Sequence, residues 1–199
     1  MKNGWPSMRL RERRIVGKLQ ICFLTAFLGL LTGCAGVVSL HPLALPNGKD
    51  TEFDPALLGA WEEVKTGGDG TATTYTVARA ESGYSVTAKP DEFKGTMHLM
   101  KVGDRRLLDV YCPSDGAPPP VHLFFKLRLE KDTAWVAEMG SRWLQDQIKT
   151  QGELRHEVLT EDDDRVVLTA SPSELREHLL PYAAQEKSFN EETELRRIK

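Results

Sequence analysis

Cysteine is scarce in this chain: three in 199 residues, at positions 22, 34 and 112. So few thiols exclude a disulfide-stapled fold and leave packing to hold whatever domain forms. Long apolar runs are missing too. Leu19–Leu31 is 13 residues, well short of the roughly 20 that a membrane-spanning helix needs. No serine stands in a Gly-x-Ser-x-Gly turn, and no glycine-rich loop leads into a helix as phosphate binding requires. Histidine occurs five times, at 41, 98, 122, 156 and 178, without the cysteine, histidine or carboxylate spacing of a metal centre. The catalytic inventory is empty, so neither an enzyme nor a cofactor is expected.

What is present lies first at the N-terminus. Arg9, Arg11, Arg13, Arg14 and Lys18 form a basic head opposed only by Glu12, and the apolar run follows directly. Met8 stands just before that head, so the start is at Met1 or Met8. The apolar residues would surround a whole helix, which fits a buried amphipathic helix badly and fits a signal-peptide core well. Gly29 and Gly33 lower helix propensity and let an extended segment enter a peptidase. The run ends in Leu31-Thr32-Gly33-Cys34. These four residues resemble the lipobox of bacterial lipoproteins, in which cleavage precedes a cysteine that becomes the acylated N-terminus.

The resemblance implies cleavage between Gly33 and Cys34, a diacylglyceryl thioether on Cys34 Sγ and a further acyl chain, such as palmitate, on its amine. Buried methylenes contribute about 0.8 kcal/mol each, so one chain anchors marginally and two or more anchor stably. Ala35 and Gly36 follow without an aspartate, which resembles lipoproteins released to the outer membrane if the cell is Gram-negative. The expected location is the cell envelope, lipid-anchored and facing the periplasm.

The first 33 residues hold six of the 26 Lys and Arg and one of the 29 Asp and Glu, so the 166 that remain carry a formal charge of −8. That argues against nucleic acid and against a domain held electrostatically on anionic lipid. A chain of this length builds one core. Residues 34–56 read as the lipidated cysteine and a tether, punctuated by Pro42, Pro46 and Pro55. Its apolar residues Val37, Val38, Leu40, Leu43 and Leu45 are available to pack on the domain or insert at the lipid surface.

Short alternating runs occupy residues 57–188. Tyr75 and Val77, then Tyr84, Val86 and Ala88, predict a hairpin about Glu81-Ser82-Gly83. Phe93–Val102, Arg106–Tyr111, Thr133–Met139, Leu154–Leu159 and Arg165–Ala170 are further strands. In Val121–Glu130, Val121, Leu123, Phe125, Leu127 and Leu129 share one face. Ser141–Thr150 predicts a short helix. Ser171-Pro172-Ser173-Glu174 is a capping box with proline at the first helical position, and Pro181 must kink or break the helix that follows. Residues 189–199 read as a charged tail that frays. Short turns favour an antiparallel meander, and a row of eight or nine strands removes its edges by curling into a barrel.

Leu58-Gly59-Ala60-Trp61 resembles the Gly-x-Trp opening of lipocalin-like domains. Phe53–Trp61 is also similar to the domain entrance of bacterial lipoproteins with no assigned activity, a likeness extending loosely through Leu107-Leu108-Asp109 to Ser173-Glu174-Leu175. The fold class implied is mainly β, a lipocalin-like barrel with a short late helix and a C-terminal helix.

Within that frame the polar candidates are few. His98 and His122 could approach across a barrel, yet both are expected as packed or surface histidines, with no metal site. Glu161-Asp162-Asp163-Asp164 reads as a solvated turn rather than a Ca²⁺ loop, which needs spaced ligands. Asp109, between Leu108 and Val110, is the one carboxylate expected to be partly buried; it is either a general acid or, preferably, a structural hydrogen-bond acceptor. Cys112 is expected as a small apolar residue. Trp61, Tyr75, Tyr84, Phe125, Trp135 and Trp143 are enough to line a pocket or to fill a small barrel, and the proline-rich loop Cys112–Pro120 is a candidate partner-facing element. The expected role is an envelope interaction or structural module; the alternative is a carrier of a small apolar ligand.

Overall fold

The computed structural model describes residues 37–45, 48–65, 72–90, 92–114, 119–151, 154–160 and 165–199. Residues 1–33, expected as a signal segment, with Cys34 and Glu161–Asp164, expected as an acidic turn, lie outside the described residues. In chain order the strands are β1 (Val37–Ser39), β2 (Thr51–Glu52), β3 (Gly59–Glu63), β4 (Thr74–Ala80), β5 (Gly83–Lys89) and β6 (Phe93–Val102). They continue as β7 (Arg105–Cys112), β8 (Val121–Glu130), β9 (Thr133–Glu138), β10 (His156–Thr160), β11 (Arg165–Leu168) and β12 (Thr193–Arg197). Helix α1 (Ser141–Gln151) precedes β10 and α2 (Pro172–Leu179) follows β11.

Strands β3 to β9 form the antiparallel meander that the alternation predicts. β12 enters between β3 and β9, and β8 pairs with β9, so eight antiparallel strands close into a barrel. The hairpin of β4 and β5 has the expected turn, with Gly83 at φ +111°. The inward residues of each strand fill the barrel: Trp61, Tyr75, Tyr84, Leu99, Val110 and Phe125 are all buried there. An eight-stranded interior is just wide enough to be occupied by side chains, and here it is.

The C-terminal residues depart from expectation. Instead of fraying, Thr193–Arg197 supplies the closing strand, pairing Leu195 with Ala134 on one side and Glu63 on the other. Only Leu195 in this strand is apolar and buried, so the alternation that marks a strand is almost absent. Two neighbours satisfy its backbone groups, and that requirement, rather than side-chain hydrophobicity, places it.

Arg197 seals this end of the barrel. Its guanidinium lies 4.2 Å from the Trp61 ring centroid and donates to the carbonyls of Leu58 and Ala56, each at 2.6 Å. The Trp61 indole N–H donates to Leu57 O at 2.9 Å. The glycine of Gly-x-Trp now has a reason. Gly59 sits at φ +129°, and a Cβ there would stand 2.7 Å from Arg197 Nη1. Gly59→Ala is therefore expected to cost about 1–3 kcal/mol in a denaturation experiment, from the backbone conformation and displacement of Arg197; unchanged stability would contradict this account.

A second core lies outside the barrel. The outward residues Met100, Leu107, Phe124 and Ala137 are covered by Leu43 and Ala44, by Leu144 and Ile148 of α1, and by Leu175 and Leu179 of α2. Helix α2 starts as predicted: Ser171 and Glu174 form the capping box, and Arg155 and Ser171 hold the Glu174 carboxyl down at about 2. It ends at Leu179, and Pro181 falls in a 3-10 turn. The segment after it crosses the wall of β8. There Lys126, 5% exposed, is gripped by Glu186 and by Glu192 at 3.1 Å.

Candidate functional site

Within residues 34–56, expected as a tether with partial packing, Val37–Ser39 and Thr51–Glu52 are built into the sheet. β9 reaches along β8 only as far as Phe125, which pairs with Glu138. The first half of β8 is thereby left free on that side, and β1 takes it, pairing Ser39 with His122. β11 joins β1 in parallel and β10 joins β11, so a three-stranded extension leaves the barrel wall.

Asp109 latches the chain that follows β1. Leu108 and Val110 point inward, so Asp109 points outward from β7, beneath the N-terminal segment, where it is 1% exposed. Oδ2 accepts from the backbone N–H groups of Leu43 at 2.6 Å and Ala44 at 2.8 Å. Oδ1 meets His122 Nδ1 at 2.6 Å. An ionised carboxylate only accepts, so Nδ1 carries the proton in this bond. Helix α2 adds a second latch: Arg176 donates to Leu43 O at 2.9 Å and to Asp50 Oδ2 at 2.5 Å. The backbone N–H of Lys101 donates to Asp50 O at 2.8 Å.

An Asp–His pair beside a serine is the composition of a hydrolytic triad. The geometry is different. Ser39 is fully buried, its hydroxyl donates to His41 O at 2.7 Å and it accepts from His41 N at 3.2 Å. Its proton is committed to a carbonyl and not to an imidazole, so this arrangement supports a structural role.

Glu138 is the second notable carboxylate. It is 7% exposed, and Oε2 has no hydrogen-bond partner among the described residues. It lines a hollow of about 10 Å³ with Val38 of β1, Phe124 of β8, Met139, Leu144 of α1 and Leu168 of β11. Removal from water pushes its carboxyl up to about 7. The protonated form is the one that this apolar seat accommodates.

The remaining candidates fall into place individually. Trp61, Tyr75, Tyr84 and Phe125 are inside the barrel, whereas Trp135 lies outside beneath Arg128 at 3.6 Å, and Trp143 packs edge-on against Tyr182. His98 and His122 do not face each other across the interior. Both project from the outer wall, on strands either side of β7, and His98 packs over Gly83. His156 Nδ1 meets Leu154 O at 2.9 Å, and His178 borders a hollow between α1 and α2. No group of three or more His, Cys, Asp or Glu able to hold a metal occurs among the described residues. Cys112 is buried at the barrel end, with its thiol pushed up to about 12 by burial and by the charges of Asp109 and Glu138.

Asp109 is buried, as its flanking residues predict, and it meets His122 on the neighbouring strand β8, as expected; its hold on the backbone of Leu43 and Ala44 was not expected, and no tryptophan N–H takes part. Glu138 was not anticipated. The signal was there, because it continues the inward phase of Ala134 and Val136 with an acid. No protein-family model, curated protein or solved structure matches this chain.

Proposed function

We propose that this protein is a lipid-anchored module of the bacterial cell envelope, acylated at Cys34, whose solid barrel serves as an interaction or structural body rather than as a carrier or an enzyme. The observation that carries this choice is the packed interior. A carrier of a small apolar ligand needs a cavity of about 300–1,000 Å³. Two hollows among the described residues, one between α1 and α2 and one beside Glu138, are about 10 Å³ each and lie in the layer outside the barrel. The basic head, the apolar run and Cys34 support the anchor, with the periplasmic side and, in a Gram-negative cell, the outer membrane as destination.

The latch fits this role. A barrel held through its N-terminus needs that N-terminus fastened to the body, and Asp109 and Arg176 fasten it. Cys34→Ser is expected to move the protein from the membrane to the soluble extracytoplasmic fraction; unchanged fractionation overturns the anchor. Native mass spectrometry of residues 35–199, purified without detergent, is expected to give the bare chain mass. A discrete adduct lost on denaturation would instead establish a carrier.

A further inference from the structure

The proposed anchor and the sheet leave almost no chain between them. Cys34 is three residues from Val37, and Val37 is already paired with Val166. Three residues span at most about 10–11 Å when fully extended. The polar layer on each side of a bilayer is about 5–8 Å thick, the difference between a roughly 30 Å hydrocarbon core and a 40–45 Å total. An acylated Cys34 sits at the inner boundary of that layer, so the chain barely crosses it.

Nor can more chain be paid out. β1 is clamped between β8 and β11, Leu40 N–H donates to Leu168 O at 3.0 Å, and Asp109 and Arg176 hold residues 43, 44 and 50 beyond it. Lengthening the tether would mean stripping a strand from the sheet and leaving buried carbonyls and N–H groups unpaired.

Two of the exposed large apolar side chains, Val158 and Leu40, belong to this part of the fold. Val37 pairs with Val166 and Val166 with Val158, so the three positions are in line across β1, β11 and β10, with Val166 buried in the second core. With strands about 4.8 Å apart, Val158 is roughly 10 Å from Val37. Val158 is 54% exposed, on the outermost strand of the extension, and Leu40 on the chain just after β1 is 37% exposed. The net charge of −8 after residue 33 gives no attraction to anionic lipid, so contact is made by apolar side chains at the headgroup boundary.

We infer that the β10–β11–β1 extension lies flush against the membrane that holds Cys34, with Val158 as its apolar contact. This rests on the anchor proposed above. The test uses the full lipidated chain, purified from membranes and reconstituted in phosphatidylcholine vesicles containing headgroup spin-labelled lipid. An environment-sensitive fluorophore is attached through a maleimide at Val158→Cys or, for comparison, at Thr76→Cys. Thr76 is exposed on β4, four strands from β8 in either direction around the barrel. Cys112, buried and with its thiol near 12, does not compete for the label.

The expected result is quenching at 158 several-fold stronger than at 76. Ten Gly/Ser residues inserted after Gly36 should bring 158 down to the level of 76 while the protein still floats with vesicles. Equal quenching at both sites in floating protein overturns the flush contact and leaves the anchor standing. Quenching at 158 that survives the insertion overturns the argument from chain length. Failure of the lipidated chain to float overturns the anchor, and the inference with it.

Discussion

Replacing Glu138 by glutamine is expected to stabilise the protein at pH 8 by about 3 kcal/mol and to flatten its stability between pH 5 and 8. The folded carboxyl titrates at about 7, against 4.5 for an ordinary glutamate. Between those two values the folded state keeps a proton that the unfolded state has released, so stability falls as pH rises through that window and levels off above it. At 1.36 kcal/mol for each tenfold change in proton affinity, the loss amounts to about 3 kcal/mol. Glutamine carries no charge to bury and is close in size, so the variant should hold its acidic-side stability at pH 8. Urea denaturation at pH 5.5 and 8.5 reads both numbers. An identical pH slope in both proteins would place the dependence elsewhere. The position of Glu138 gives the effect a structural address, because its hollow is lined from β1, β8, α1 and β11 at once.

Asp109→Ala carries the second large effect, in the opposite direction. It removes the acceptor for two buried backbone N–H groups and the partner of His122. Unpaired buried donors cost about 1–3 kcal/mol each, and three are left, the N–H groups of Leu43 and Ala44 and the Nδ1–H of His122. A total loss of about 3–5 kcal/mol is expected, since these contributions overlap. Asp109→Asn keeps one carbonyl for Leu43 and Ala44 and should cost less. The discriminating readout is local. Lys49 is exposed and lies just beyond the latch, so trypsin should cut there faster in the alanine variant than in the wild type at matched folded fraction. Unchanged cleavage would mean that Arg176 and the β1 pairing hold the segment without Asp109.

Much of the site was legible only in outline. Asp109 between Leu108 and Val110 announced a buried acid, but nothing near it in sequence named Leu43 and Ala44, 66 and 65 residues away. His122 was visible as a polar residue on the outer phase of β8. Its place beside Asp109 depends on the register that sets Tyr111 opposite it. Glu138 stands in the apolar phase of β9, a conflict readable from the sequence, whereas its lack of a partner depends on what β1, α1 and β11 bring over it.

The sequence by itself determined the strands β4 to β9, the turns between them, the capped start of α2 and its stop before Pro181. Each of these follows from side-chain alternation, turn chemistry or a cap acting within a few residues, so no distant contact was needed to read them. Only the tertiary structure decided that Thr193–Arg197 closes the barrel, that Arg197 and Trp61 seal its end, and that the chain from Val37 onward is fastened to the wall. Those outcomes arise from backbone groups seeking partners and from charges meeting residues far away in the chain. Such demands are satisfied by whichever element folding brings alongside, and no local pattern records which one that is.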